Sequence, residues 1–294
     1  MRHWFMNIMH LSRLQLWFLP LFLLAAALVL AISPAARAEH SLTQVWKTEG
    51  LAVPESVLYM KDKKEPYLLV SLIDGVPTEV DGKGGIAKLG TDGEVLDAEW
   101  ITGLNAPKGM GTDGKLLYVA DITELVVIDI KKQRVVKKVP VPEAVFLNDV
   151  TVSSLGVVYV SDTRTHRVHM YDGKKIHLYL DGVDNANGLF ALGNSLVVGS
   201  AKQLLIFDAN KKPLVLAQGF AENIDGVEMV ARGEFVVSCW LGLVYYVYGD
   251  GRIQQMLDLR EQKINTADLG FDPEQRVVLV PNFFKNSVTA YRLE

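Results

Sequence analysis

Asn148-Asp149-Val150-Thr151-Val152-Ser153-Ser154-Leu155-Gly156-Val157-Val158-Tyr159-Val160-Ser161-Asp162 decides the fold, together with its continuation to Leu180. Its β-branched and aromatic runs read as strands at Val150–Ser153, Val157–Ser161, Arg167–Tyr171 and Lys175–Leu180. Turns at Leu155-Gly156, Asp162–His166 and Asp172-Gly173 separate them. Gly and Asp at those positions supply the tight connections of an antiparallel meander.

The same unit recurs on both sides. Downstream, one copy opens at Asn187-Gly188, another at Asp225-Gly226 and a last near Thr266-Ala267-Asp268. Upstream, copies open at Pro107-Lys108-Gly109 and at Pro54-Glu55-Ser56, the latter with a long loop from Ile73 to Gly84. Aligned at Glu55, Lys108, Asn148, Asn187, Asp225 and Asp268, the openings are 53, 40, 39, 38 and 43 residues apart. About forty residues is the length of one four-stranded propeller blade. The sixth unit shows only three strands before the chain ends, and an orphan strand, Leu42–Thr48, precedes the first unit. Pairing the two removes a free sheet edge. The expected fold is therefore all-β: a six-bladed β-propeller of four antiparallel strands per blade, its last blade closed by the N-terminal strand.

Residues 1–38 are read separately. Arg2 and Arg13 precede an uncharged apolar run, Leu14–Ile32, and Ala36-Arg37-Ala38 is a small-x-small cleavage pattern. This is the layout of an export signal. The expectation is a periplasmic or secreted protein, with an uncleaved membrane anchor as the alternative, since the run is long enough to span a bilayer. Residues 39–294 then form the propeller, with 27 basic against 34 acidic residues. A mildly acidic domain without a Lys/Arg block argues against nucleic acid or an anionic membrane as partner, and leaves a small molecule as the expected one. Oligomeric state has no signature in the sequence. Cys239 is the sole cysteine and lies in the run Phe235–Trp240, so a buried, inert thiol is expected.

The blade register assigns a site. The residue just before each innermost strand faces one shared channel mouth, so Glu55, Lys108, Asn148, Asn187, Asp225 and Asp268 are expected to converge. Glu55, Asn148, Asn187 and Asp225 are all oxygen donors, which suit one divalent cation, Ca²⁺ above Mg²⁺ because four separate blades supply them. Asn-Asp, Asn-Gly and Asp-Gly are also turn dipeptides. Glu55 is not a turn former and is harder to read that way. Lys108 and Asp268 complete the ring as substrate-binding candidates. Arg164, Lys202, Trp240, Phe283 and Phe284 lie on turns expected to form the rim and are further candidates for substrate binding.

Four elements resemble the senescence-marker-protein/gluconolactonase/luciferin-regenerating-enzyme family, which includes regucalcin. They are Pro54-Glu55-Ser56-Val57-Leu58-Tyr59, Leu147-Asn148-Asp149, Ala186-Asn187-Gly188-Leu189 and Ile224-Asp225-Gly226-Val227. The resemblance implies that Glu55, Asn148, Asn187 and Asp225 bind one Ca²⁺-like ion and that Asp225 acts as general base in lactone hydrolysis. The chain departs from the family at Val150, where many members have Gly, and at Phe146, where regucalcin-like lactonases place a substrate-binding Arg. The His residues of related paraoxonase-like enzymes have no counterpart; His166, His169 and His177 fall in or beside outer strands of the third unit. Val160–Val168 also resembles a repeat of the NHL-type propellers, mostly binding modules. Two functions follow as expectations: an exported Ca-type hydrolase of a lactone or other ester-like small molecule, or a non-catalytic ligand- or protein-binding propeller with a structural ion. A membrane-anchored sensor or scaffold is a third.

Overall fold

The computed structural model describes residues 39–294. The segment read as an export signal lies outside the described residues.

Six four-stranded antiparallel sheets form the ring. The first blade runs Pro54–Met60, Tyr67–Leu72, Gly84–Gly90 and Val95–Leu104. The second runs Pro107–Thr112, Leu116–Asp121, Glu124–Asp129 and Arg134–Pro140. The unit that decided the reading is the third: Leu147–Val152, Val158–Asp162, Arg167–Tyr171 and Ile176–Asp181. The fourth is Ala186–Leu192, Ser195–Ser200, Gln203–Phe207 and Pro213–Gln218. The fifth is Ile224–Ala231, Glu234–Cys239, Leu243–Val247 and Ile253–Asp258. The sixth takes Gly270–Asp272, Val277–Asn282 and Ser287–Leu293 from the C-terminal end and Leu42–Glu49 from the N-terminal end. Leu42–Glu49 pairs antiparallel with Ser287–Leu293, as the orphan strand required. Ser41 and Glu294 then exchange backbone hydrogen bonds in both directions, each 3.1 Å.

The core is divided into wedges between consecutive blades. One cluster joins blades four and five through Val197, Leu204, Val237 and Val247. Another joins blades six and one through Val57, Val70, Leu279 and Ala290. A middle strand is therefore covered on both faces and reads as an unbroken apolar run, such as Leu68-Leu69-Val70, each fully buried. Outer strands keep one wet face and alternate instead.

A bulge repeats at the start of the innermost strand. Pro54 faces Leu72 but Ser56 faces Ser71, so Glu55 is the extra residue. The same shift occurs between Pro107 and Met110, Leu147 and Val150, Ala186 and Leu189, and Ile224 and Val227. Bulges re-aim side chains. Here the serine hydroxyls of Ser71, Ser161 and Ser238 accept the N–H of Ser56, Asp149 and Gly226 at 2.8–2.9 Å and hold the bulge in three blades.

Glycines follow the bulge where inner strands of adjacent blades approach. A Cβ on Gly188 would collide with the Asp225 carbonyl oxygen, and one on Gly226 with the Leu269 nitrogen. Both obstacles are backbone and cannot rotate away. Gly188→Ala should therefore destabilise the fold by about 3 kcal/mol, read as a fall in melting temperature of roughly 10 °C. A variant melting within 2 °C or so of the parent would show that the blades have slack at this level.

Candidate functional site

The bulges bring Glu55, Lys108, Asn148, Asn187 and Asp225 into the lining of one cavity of about 570 Å³ at the channel mouth. That size suits a small organic molecule. Glu55, Lys108, Asn148 and Asp225 are buried, and Asn187 is half-buried. Lys202, Trp240, Phe283 and Phe284 line the same cavity, from the turns expected to form its rim.

Asp268 is a correction. Thr266 bridges Asn282 as Pro54 pairs with Leu72, so the sixth residue in register with Glu55 is Ala267. A one-residue slip sends a side chain to the opposite face. Ala267 packs with Ile73, Ala106, Ile122 and Phe283 in the apolar cluster at the mouth. Asp268 instead lines a separate cavity of about 180 Å³, together with Asp149 and Glu228. Its Oδ2 accepts the Ser56 hydroxyl at 2.6 Å.

Arg164 does not line the mouth cavity. It is exposed, and its guanidinium sits 4.6 Å from the centroid of the Phe146 ring. Lys108 Nζ lies 4.6 Å from the same centroid. Phe146 lines the cavity between two cations, a favourable arrangement for an aromatic quadrupole. The Lys108 ammonium also donates to the carbonyls of Ala106 at 2.9 Å and Pro77 at 3.1 Å. The second contact holds the long loop of blade one over the mouth.

Loop entry into the ring is set by two carboxylates that the sequence reading passed over. Asp121 accepts the N–H of Asn105 and Ala106, and Asp162 accepts those of Val145 and Phe146. Each ends the second strand of its blade, so the signal was a recurrent Asp at that register in blades two and three.

The ring residues are electrostatically strained. Burial pushes the Glu55 carboxyl well above the usual carboxylate range, with Asp225 adding to the rise and Lys108 opposing it. Burial raises Asp225 to about 7 against the stabilising Asn187 hydrogen bond. Burial lowers Lys108, although Glu55 and Asp121 pull it back up. Asp149 is raised to about 7 and Glu228 to about 8, both chiefly by burial.

The donor set can be tested for a divalent cation. Asn148 Nδ2 donates to Thr163 Oγ1 at 3.1 Å and Asn187 Nδ2 donates to Asp225 Oδ1 at 2.9 Å. Both amide nitrogens are committed, which leaves the amide oxygens as the available ligands. Glu55 Oε2 and Asn187 Oδ1 are buried without a hydrogen-bond partner. Buried oxygens are rarely left so. A hard cation among two carboxylates and two amide oxygens would satisfy them, so these residues fit a Ca²⁺-type ion. Among the described residues no three His, Cys, Asp or Glu side chains gather as a metal-holding group, so a cation here depends on the amides too.

Cys239 is fully buried and its thiol is pushed up to about 12 by that burial, as an inert core thiol should be. None of the three third-blade histidines lines the mouth cavity. His177 pairs with Asp172 at 3.0 Å and His166 Nδ1 accepts the Asn185 N–H at 2.9 Å, which are structural contacts.

No family model and no curated protein sequence matches the chain. Among solved structures it is similar to a catalytically inactive virginiamycin B lyase from Staphylococcus aureus, determined with quinupristin. That similarity has a TM-score of 0.58 at 10% identity and covers 86% of this chain and 99% of that one. A streptogramin B lyase structure gives a TM-score of 0.60 at 10% identity, covering 87% and 98%. At this identity the likeness establishes the six-bladed propeller.

Proposed function

We propose that the channel mouth binds one divalent cation of the Ca²⁺ type through Glu55, Asn148, Asn187 and Asp225 and cleaves a lactone or other ester-like bond of a small molecule. The observation that carries this reading is the pair of buried, unpartnered oxygens, Glu55 Oε2 and Asn187 Oδ1, in a cavity of ligand size. When bound, such a cation supplies Lewis-acid polarisation of a carbonyl.

The chain's own residues do the rest. Asn187 orients the Asp225 carboxylate through its 2.9 Å hydrogen bond, and Thr163 orients Asn148. Asp225 is the group positioned to take a proton from an attacking water; burial strengthens it as a base and a bound cation weakens it. Lys108 keeps Pro77 at the lip, which narrows access for bulk water.

A second reading, a non-catalytic binder with a structural ion, is favoured by one observation: Phe146 occupies the wall where lactonases of the resembling family place an Arg. One panel separates the two. Lactones, aryl esters and phosphotriesters are assayed with added Ca²⁺ and with chelator. The expected result is Ca²⁺-dependent cleavage of at least one lactone or ester; no cation-dependent rate across the panel overturns the hydrolase. The similar structures are named as lyases, so products are also formed in heavy-oxygen water. Hydrolysis incorporates the label and elimination does not.

A further inference from the structure

The walls of the mouth cavity differ in chemistry around its circumference. Blades five, six and one contribute Trp240, Leu241, Phe283, Phe284, Ile73 and Pro77. The three aromatic rings pack edge to face. Trp240 and Phe283 lie 4.8 Å apart between centroids, Phe283 and Phe284 4.8 Å, and Trp240 and Phe284 6.1 Å.

This wall is preformed. Asn265 donates its side-chain N–H to the Trp240 carbonyl at 3.1 Å, and its own carbonyl accepts the Phe283 N–H at 3.1 Å. One residue thus ties together the two turns that carry the aromatics. The other end of the Phe283–Lys285 turn is held by Asn286, in the left-handed conformation at φ 52°. Its side-chain oxygen accepts the Val53 N–H at 3.1 Å. Phe284 nevertheless remains 62% exposed and Leu241 46% exposed at the lip. These two exposed apolar side chains extend the aromatic wall to the lip and fit a ligand with an apolar group.

The polar arc opposite, from blades two to four, spends part of its hydrogen-bonding capacity within the protein. The Nδ2 groups of Asn148, Asn187 and Asn185 donate to Thr163, Asp225 and Asp184. The Thr163 hydroxyl donates to the Ala186 carbonyl at 2.9 Å. Lys108 and Lys202 donate to backbone carbonyls. A polyhydroxylated ligand laid against the aromatic wall would lose its water there without finding replacement hydrogen bonds, which is unfavourable for each hydroxyl left unpaired.

We propose that the mouth selects amphipathic molecules. An aryl or branched-alkyl group lies against Trp240, Phe283 and Phe284, with the ester-like group toward Glu55, Asn187 and Asp225, and polyhydroxylated sugar-type lactones, which leave that wall without an apolar partner, bind more weakly. The assignment of the reacting end rests on the function proposed above; the assignment of the apolar end rests on the wall alone.

The test uses two uncleavable probes on the full chain with Ca²⁺ present: a phenyl-substituted lactam and a polyhydroxylated lactam, titrated by calorimetry. The phenyl lactam is expected to bind at least about tenfold more tightly. Trp240→Ala and Phe284→Ala should each weaken it about tenfold, the scale of one lost aromatic contact, without changing the polyol, and Trp240→Phe should restore most of the loss. Phe284 is exposed, so its variant keeps the test valid even where Trp240→Ala fails to fold. Equal or tighter binding of the polyol, or an unchanged ratio in Phe284→Ala, overturns the proposal. Phenyl-lactam binding with no lactone ever opened overturns the hydrolase and leaves this pocket standing. Cation-dependent turnover of a polyol lactone without aryl preference does the reverse.

Discussion

Asp225→Asn should lower cation-dependent turnover by at least about a thousandfold while leaving the fold intact. The size follows from the two roles the carboxylate combines. General-base assistance contributes about 10²–10⁴, and one of the two negative charges that neutralise the cation is lost as well. The substitution is nearly isosteric, and its amide can still face Asn187, whose Nδ2 now donates to Asp225 Oδ1 at 2.9 Å. Because it also removes a buried charge, the variant in chelator should be at least as stable as the parent near pH 7–8 and differ little near pH 4. Steady-state kinetics at saturating Ca²⁺ separates the contributions: a fall in kcat that excess Ca²⁺ does not repair reports the proton transfer, whereas repair by excess Ca²⁺ reports weakened binding alone. An Asp225→Asn protein that keeps more than about a tenth of parental kcat would remove Asp225 from the chemistry.

The second large effect is on stability against pH, and its sign is unusual. Carboxylates in most proteins gain stability as they ionise, because folding lowers their pKa. Here burial raises Asp225 and Asp149 to about 7, Glu228 to about 8, and Glu55 and Asp268 well above their ordinary values. Between the unfolded pKa near 4 and these folded values, the folded chain binds more protons than the unfolded one. Stability in chelator should then fall as pH rises from about 4 to about 8, opposed in part by Lys108 and His169, whose pKa burial lowers. A shift from 3.8 to about 7 in a single buried group corresponds to on the order of 4 kcal/mol. That is on the order of 10 °C in melting temperature for a domain of this size. Added Ca²⁺ should cancel the share belonging to Glu55 and Asp225, because cation binding favours their ionised forms. Thermal unfolding at pH 5, 6.5 and 8, with chelator and with Ca²⁺, measures both. A melting temperature in chelator that stays flat or rises across this range would mean that the ring carboxylates are better solvated than their burial implies. Equal curves with and without Ca²⁺ would remove the cation site.

The two experiments are linked through the geometry of the bulge. Without the extra residue at Glu55, the chain would continue as a regular strand, and its side chain would alternate away from the mouth. The bulge aims five polar side chains at one cavity, and burial then raises their electrostatic energy. The unpartnered oxygens and the raised pKa values of Glu55 and Asp225 are consequences of that one backbone feature. The proposed cation would relieve both at Glu55 and Asp225.

The repeat, the blade count, the closing strand and the positions of Glu55, Lys108, Asn148, Asn187 and Asp225 at the mouth were legible in the chain, because they are set by local rules. Strand alternation and turn chemistry repeat every forty residues or so, and the same register in successive copies faces the same way. Cys239 was legible for the same reason: an apolar run without polar alternation is a strand covered on both faces.

Tertiary structure decided everything that depends on the meeting of distant segments. Asp268 looked like the sixth member of the ring because it is the polar residue nearest the repeat spacing. The bridge from Thr266 to Asn282 places Ala267 there instead, and the short innermost strand Gly270–Asp272 offered too little pattern to reveal a slip of one residue. The position of Phe146 between Lys108 and Arg164, and the clamp of Asn265 on the Trp240 and Phe283 turns, join residues from different blades. So does the gathering of Asp149, Glu228 and Asp268 around a second cavity. Sequence periodicity records which way a side chain faces within its own sheet. What it faces across the channel depends on six sheets closing into a ring, and no local spacing encodes that.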